Sequence, residues 1–233
     1  MTTPRIVSHE EWMKAAKAHL AKEKEFTRQR DQLARERREL PWEKVAKSYV
    51  FETPEGKATL SDLFAGKSQL IVQHFMFGPD WNEGCPSCSF WTDNFNGVDV
   101  HLAQRDTAFV LISRAPIARL EAYRKRMGWN VRWVSSLGND FNFDYAVSFQ
   151  PNEQGAKYNI DTMKPYGQEA PGLSAFRKLS GGGDDGAIHR TYSTYARGLD
   201  VLNGAYHLLD MTSKGRDEDP KHPMAWVRRH DRY

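Results

Sequence analysis

The sequence predicts an α/β fold, a central mixed sheet flanked by helices and preceded by a long N-terminal helical arm. Three observations carry that expectation. Residues 8 to 40 contain neither Gly nor Pro; two almost continuously apolar runs, Gln69 to Phe77 and Thr107 to Ser113, alternate with helical stretches; and two strand-like runs flank a glycine-rich turn at Gly181 to Gly186.

Ser8 followed by Glu11 is a capping box, and the stretch behind it is rich in Ala, Lys, Glu, Arg and Gln, so a helix is expected to run as far as Pro41. Trp12, His19, Phe26, Leu33 and Leu40 recur every seven residues, while Ala16, Glu23, Arg30 and Arg37 leave that stripe one residue wide. Such a stripe needs cover from its own domain or from a second chain, and a homodimer with exchanged arms is the expectation. After Pro41 the composition turns aromatic and β-branched, which sets an arm at 1–45 and a domain at 46–233. Tyr49-Val50-Phe51 and the turn at Thr53 to Gly56 read as a strand and hairpin. Gln69 to Phe77, ending at Gly78-Pro79, has the pattern of a strand buried on both faces and should be central. Thr107 to Ser113 repeats that pattern; Pro116 to Met127 follows as a helix and Val131 to Ser135 as a shorter strand. Leu173 to Leu179 and Ala187 to Tyr195 form a hairpin, and Leu199 to Met211 a last helix.

Length and composition exclude several classes. The 233 residues are 39% hydrophobic and 27% charged, which fits one globular domain with an appendage and not a disordered or fibrous chain. The net charge of +3 is too balanced to call for nucleic acid or an anionic membrane. No apolar run is long enough to span a bilayer, and Met1-Thr2-Thr3-Pro4-Arg5 lacks the apolar centre of a secretory signal, so a cytoplasmic protein is expected.

Cys85-Pro86-Ser87-Cys88 is the sharpest chemical feature, because the chain has only two cysteines and chance rarely sets such a pair three apart. Pro86 suits the first turn of a helix running to Phe95, which puts Cys85 at the N-terminus, where peptide dipoles and free amides favour a thiolate. Cys88, one turn on, faces the same way. The bland alternatives are inert core cysteines, a metal site completed by His74 or His101, and an oxidation sensor without turnover. His74 reads as a hydrogen-bonded core histidine, and His189 and His207 as packing positions. Gly181, Gly183 and Gly186 match G-x-G-x-x-G only formally, since a strand follows and Asp184 and Asp185 would repel pyrophosphate. Gly66-Lys67-Ser68 mimics a P-loop end but has Ser61 where the first glycine belongs. Nucleotide binding is therefore not expected, and neither is any cofactor or metal.

The strand, the Cys-x-x-Cys at the next helix start, the strand-helix-strand unit and the later hairpin preceded by Ala170-Pro171-Gly172 resemble the layout of thioredoxin-like proteins. In those a cis proline just before a strand faces the active cysteines, which implies that role for Pro171. His74 to Trp81, Gly84 to Phe90, Ser113 to Pro116, Gly128-Trp129, Asp140 to Asn142 and Thr191 to Asp200 are similar to the bacterial thioredoxin-like family known as domain of unknown function 899 (DUF899). The similarity covers nearly the whole chain and implies a thioredoxin-like fold and a redox role. Differences from thioredoxin are Pro-Ser between the cysteines, a tryptophan four residues before Cys85, and the helical arm.

The expected function is thiol-disulfide exchange, with Cys85 attacking and Cys88 resolving and with Trp81, Pro86 and Pro171 contacting the substrate. The expected partner is a disulfide-containing substrate or redox protein. A peroxide-reducing variant would need a thiolate-stabilising group, for which Arg114 and Arg197 are candidates. The alternative is a non-catalytic module that holds a metal or partner through the same loop, with Trp81, Phe90 and Trp91 as an apolar patch.

Overall fold

Ser8 opens the first helix as the sequence predicts. Its hydroxyl accepts the Glu11 amide at 3.2 Å, while the Glu11 carboxylate accepts the Ser8 amide at 3.4 Å, completing the capping box. The computed structural model describes residues 4–151, 153–181, 183 and 185–233. Met1 to Thr3, part of the stretch read for a secretory signal, and Gly182 and Asp184 of the glycine-rich turn lie outside them. The chain divides into two compact units, Met1–Pro41 and Trp42–Tyr233. The first is α1 (His9–Arg38), with Glu10 and Glu11 in its first turn and Arg35, Arg37 and Arg38 in its last, a charge order that complements the helix dipole. Trp12, Phe26, Leu33 and Leu40 are exposed. Among the described residues no helix is long and apolar enough to cross a membrane.

The second unit is a mixed sheet with helices on its faces. In chain order it holds β1 (Glu43–Lys44), β2 (Val50–Thr53), β3 (Gly56–Thr59), β4 (Gln69–His74), α2 (Pro86–Phe95), α3 (Asp99–Ala103), β5 (Thr107–Ser113) and α4 (Ile117–Arg126). β6 (Arg132–Ser135), α5 (Phe141–Asp144), β7 (Gly172–Lys178), β8 (Ile188–Tyr195) and α6 (Gly204–Asp210) follow. The strand order is β1-β8-β7-β4-β5-β6-β2-β3. β4 pairs in parallel with β5 and antiparallel with β7, which pairs antiparallel with β8. This β-α-β unit joined to an antiparallel hairpin, with the cysteine-bearing helix leaving the central strand, is the expected thioredoxin-like arrangement.

Strand alternation sorts the core into two faces. Leu70 and Val72 of β4, Val110 and Ile112 of β5 and Phe176 of β7 join Phe51, Phe64 and Phe141 on one side. Phe75 and Leu111 join Cys88, Leu120, Tyr123, Trp129 and Trp133 on the other, beneath α2 and α4. Burial on both faces explains why β4 and β5 read as unbroken apolar runs.

The sequence was misread at three places. β4 stops at His74 rather than Phe77, because both backbone groups of Met76 leave the ladder for the cysteine loop. The last helix is broken: a 3-10 segment, Ala196–Leu202, precedes α6, and Asn203 between them caps α6 by accepting the Tyr206 amide at 3.3 Å. The Leu199 carbonyl that a continuous helix would use is taken by the Trp91 indole at 3.0 Å. The Ala170–Pro171 bond is trans, not cis. The Ala170 amide donates to the Val147 carbonyl at 2.9 Å, and the Pro171 carbonyl accepts the Tyr158 hydroxyl at 2.6 Å. These bonds feed the chain straight into β7 without a reversal, and trans is then the lower form of an X-Pro bond by about 0.5–1 kcal/mol.

Candidate active site

The two cysteines occupy the first turn of α2 at the C-terminal end of β4. Cys85 is the N-cap, Pro86 sits at the first helical position, and Cys88 is buried one turn on. Proline belongs there because its missing N–H costs nothing at a position without an intrahelical acceptor. The loop is pinned to the segment that follows β4: the Cys85 amide donates to the Met76 carbonyl at 3.0 Å, and the Met76 amide donates to Cys88 Sγ at 3.4 Å. Ser89 closes the turn, its amide and hydroxyl reaching the Cys85 carbonyl at 3.0 and 2.8 Å. Deeper in the helix the Cys88 carbonyl accepts the Gln73 side-chain amide at 3.3 Å and lies 3.0 Å from the Thr92 hydroxyl.

The two thiols differ in acidity. Cys85 is half-buried and held down to about 7 from an ordinary 9.0, chiefly because Cys88 hydrogen-bonds to it. Burial opposes that shift, and the amides of Cys88 and Ser87 and the Ser87 hydroxyl reinforce it. Cys88 is pushed well above the ordinary value by burial first, then by donating to Cys85 and by the charge that Cys85 carries. Glu169 adds to that rise. Its carboxylate is buried, pushed up by desolvation, and held by the Ser148 hydroxyl at 2.7 Å and Arg114 at 3.2 Å. The arrangement can present a thiolate at the surface while keeping a protonated thiol directly behind it.

A model of a bacterial family matches the chain over residues 1–233, described as bacterial protein of unknown function (DUF899). The chain belongs to the DUF899 family. No curated protein matches it. Among solved structures, this DUF899 chain is similar to the peroxidoxin BcpB of Mycobacterium tuberculosis at 10% identity, covering 70% of this chain and 94% of that one with a TM-score of 0.44. It is also similar to a mutant of Xylella fastidiosa PrxQ at 13% identity, 69% and 89% coverage and a TM-score of 0.41. A thiol:disulfide interchange protein from Bacteroides sp. aligns at 14% identity, over 76% and 95% of the two chains, with a TM-score of 0.43.

In this DUF899 structure Cys85, Pro86 and Cys88 come together as the sequence implies. Trp81 is half-buried on the loop leading to them, its ring against Gly78 and its carbonyl accepting Arg119 at 2.8 Å. Pro171 precedes Gly172, the partner of His74 in the β4–β7 ladder, and so stands at the same end of β4. Phe90 and Trp91 do not form an open patch with Trp81: Trp91 is buried against Leu173 and Leu199, and Phe90 packs edge-on to Tyr206 and Trp226. His74 faces the opposite side of the sheet and bonds Ser174 at 2.8 Å, buried and pushed down to about 3 by desolvation. Of the two arginines, Arg114 is tied to Glu169 and Arg197 to Asp200. Among the described residues no group of three or more His, Cys, Asp or Glu converges in a metal-holding arrangement.

Several contributors escaped sequence reading. Met76 acts through its backbone, and Glu169 lies outside any periodic pattern, so a carboxylate there reads as solvated. Ser87, between the cysteines, was the one neighbour whose hydroxyl the motif itself displayed.

Proposed function

We propose that this DUF899 protein is a thiol-disulfide oxidoreductase acting on a disulfide-bearing substrate or redox partner protein. The observation that supports this most directly is the pairing at the start of α2, an N-cap thiol held down to about 7 with a second thiol hydrogen-bonded to it. A thiol held down in this way is more readily ionised near neutral pH than an ordinary cysteine, and the thiolate is the form that attacks. In the forward step the Cys85 thiolate attacks one substrate sulfur, the disulfide breaks, and the departing thiolate takes a proton from solvent. Cys88 then gives its proton to solvent and attacks Cys85 Sγ, breaking the mixed disulfide, forming the intramolecular one and expelling the second substrate thiolate, which takes up a proton in turn. The substrate gains two electrons and the cysteine pair loses them; an external dithiol returns the pair to its reduced form. Trp81 and Pro86, flanking the thiols, are the residues proposed to contact the substrate. Pro171, whose peptide bond is trans and whose carbonyl accepts the Tyr158 hydroxyl, is not proposed among them.

The test uses a chromogenic aromatic disulfide. Wild-type protein is expected to release two equivalents of chromogenic thiol and end with Cys85 joined to Cys88. Cys88→Ser should stop at the mixed disulfide after one equivalent, and Cys85→Ser should be at least tenfold slower. Undiminished reaction of Cys85→Ser would overturn the proposal.

A further inference from the structure

A distant part of the chain holds the residue before Cys85. The Arg229 guanidinium donates to the Gly84 carbonyl twice, through Nε at 3.1 Å and Nη2 at 2.7 Å, across 145 residues of sequence. Its Nη1 pairs with the Glu83 carboxylate at 3.0 Å, and Nε also donates to the Tyr123 hydroxyl at 3.0 Å. The Tyr123 hydroxyl lies 2.9 Å from the Ser89 hydroxyl, which donates to the Cys85 carbonyl at 2.8 Å. Arginine has donors and no acceptors, so the chain has one direction, Arg229 to Tyr123 to Ser89 to Cys85.

The surroundings fix Arg229 in turn. Its side chain is largely buried, and Val227 two residues earlier is buried outright. Beyond it, His230 meets Asp93 of α2 at 2.7 Å, and Asp231 pairs with Arg126 of α4 at 2.7 Å, while Arg126 also binds Glu83. The carbonyls of Gly84 and Cys85, on either side of the Cys85 Cα, thereby answer to one guanidinium, the first directly and the second through Tyr123 and Ser89. The planar fork of arginine is what lets a single side chain reach the Gly84 carbonyl, the Glu83 carboxylate and the Tyr123 hydroxyl at once.

We propose that Arg229 is a positioning residue that clamps the loop carrying Cys85 and sets the reactivity of that thiol from the far end of the unit. Arg229 touches no sulfur; it acts through Gly84, Tyr123 and Ser89. It deepens the thiol-exchange reading and rests on it. Releasing the clamp lets the N-cap drift from the free amides of α2, and the thiolate loses donors.

The experiment is iodoacetamide alkylation of reduced protein across pH 5 to 10, with folding checked by near-ultraviolet circular dichroism. Wild-type Cys85 should titrate near 7; an ordinary midpoint there would sink the exchange reading itself, apart from any role of Arg229. Against that baseline Arg229→Ala is expected to raise the midpoint by at least half a pH unit. Arg229→Lys should recover less than half of the shift, because an ammonium cannot fork. Arg228→Ala, whose guanidinium bonds the carbonyls of Ala225 and Val227, should leave the midpoint in place. A folded Arg229→Ala with the wild-type midpoint overturns the proposal. If Arg229→Ala does not fold, Tyr123→Phe decides: it keeps the ring, cuts the hydroxyl link, and is expected to raise the midpoint in the same sense, while an unchanged midpoint overturns the clamp.

Discussion

The Met76 amide donates to Cys88 Sγ at 3.4 Å while the Met76 carbonyl accepts the Cys85 amide at 3.0 Å. One residue just beyond the end of the central strand therefore binds both halves of the cysteine motif with its backbone alone. β4 lies between β5 and β7 in the interior of the sheet, so Met76 follows directly on an interior strand. The amide facing Cys88 partly opposes the rise that burial imposes on that thiol. Because only the backbone is involved, the Met76 side chain is not what selects this geometry.

Gly84 is expected to tolerate no side chain. A Cβ there would stand 2.7 Å from the Phe75 ring and 3.0 Å from the Tyr123 ring. Phe75 is itself packed against Trp133, with ring centroids 4.6 Å apart, so it cannot swing clear. Gly84→Ala should cost about 1–3 kcal/mol. Urea denaturation measures this; a midpoint equal to wild type would show that the loop can shift to accommodate the methyl.

His74 should make stability depend on pH. Its folded value is pushed down from 6.5 to about 3, so between those limits the unfolded chain binds the extra proton and stability rises with pH. The contribution is complete above about 6.5 and is lost as pH falls towards 3. His74→Phe removes the titration and leaves Ser174 bonded to Ser193. Relative to wild type, this variant should gain up to about 1.4 kcal/mol per pH unit on going from pH 6 to pH 4. Parallel stability curves for the two proteins would mean that His74 titrates normally.

For the arm we propose a second chain as the cover of its apolar stripe. Trp12, Phe26, Leu33 and Leu40 are exposed on α1, and burying each would contribute on the order of 1.5–3 kcal/mol. Light scattering should find a dimer for the full chain and a monomer after residues 1–40 are deleted, with aromatic-disulfide reduction retained. A monomeric full chain would rule out exchanged arms.

The sheet and the thiols could be read from the sequence because their signals are local. The apolar runs of β4 and β5, the capping box at Ser8 and the three-residue cysteine spacing each lie within one stretch of chain. What was lost depends on contacts between remote residues. Tyr123 falls on the inner face of α4 and looks like packing until its hydroxyl is seen between Arg229 and Ser89. The Leu199 to Met211 stretch has helical composition, and only the Trp91 indole on its carbonyl shows why it breaks. Pro171 was assigned a cis bond on resemblance alone, and the bonds from Val147 and Tyr158 that hold it trans come from elsewhere in the chain.

The span of the Arg229 bonds also has a consequence in time. A ribosome adding roughly 5 to 20 residues per second needs about 7 to 29 s to cover the 145 residues between Gly84 and Arg229. β7 and β8, which flank β4 on one side, also emerge within that interval. In a nascent chain both cysteines thus precede the Arg229 bonds, and the β7–β8 hairpin, by seconds.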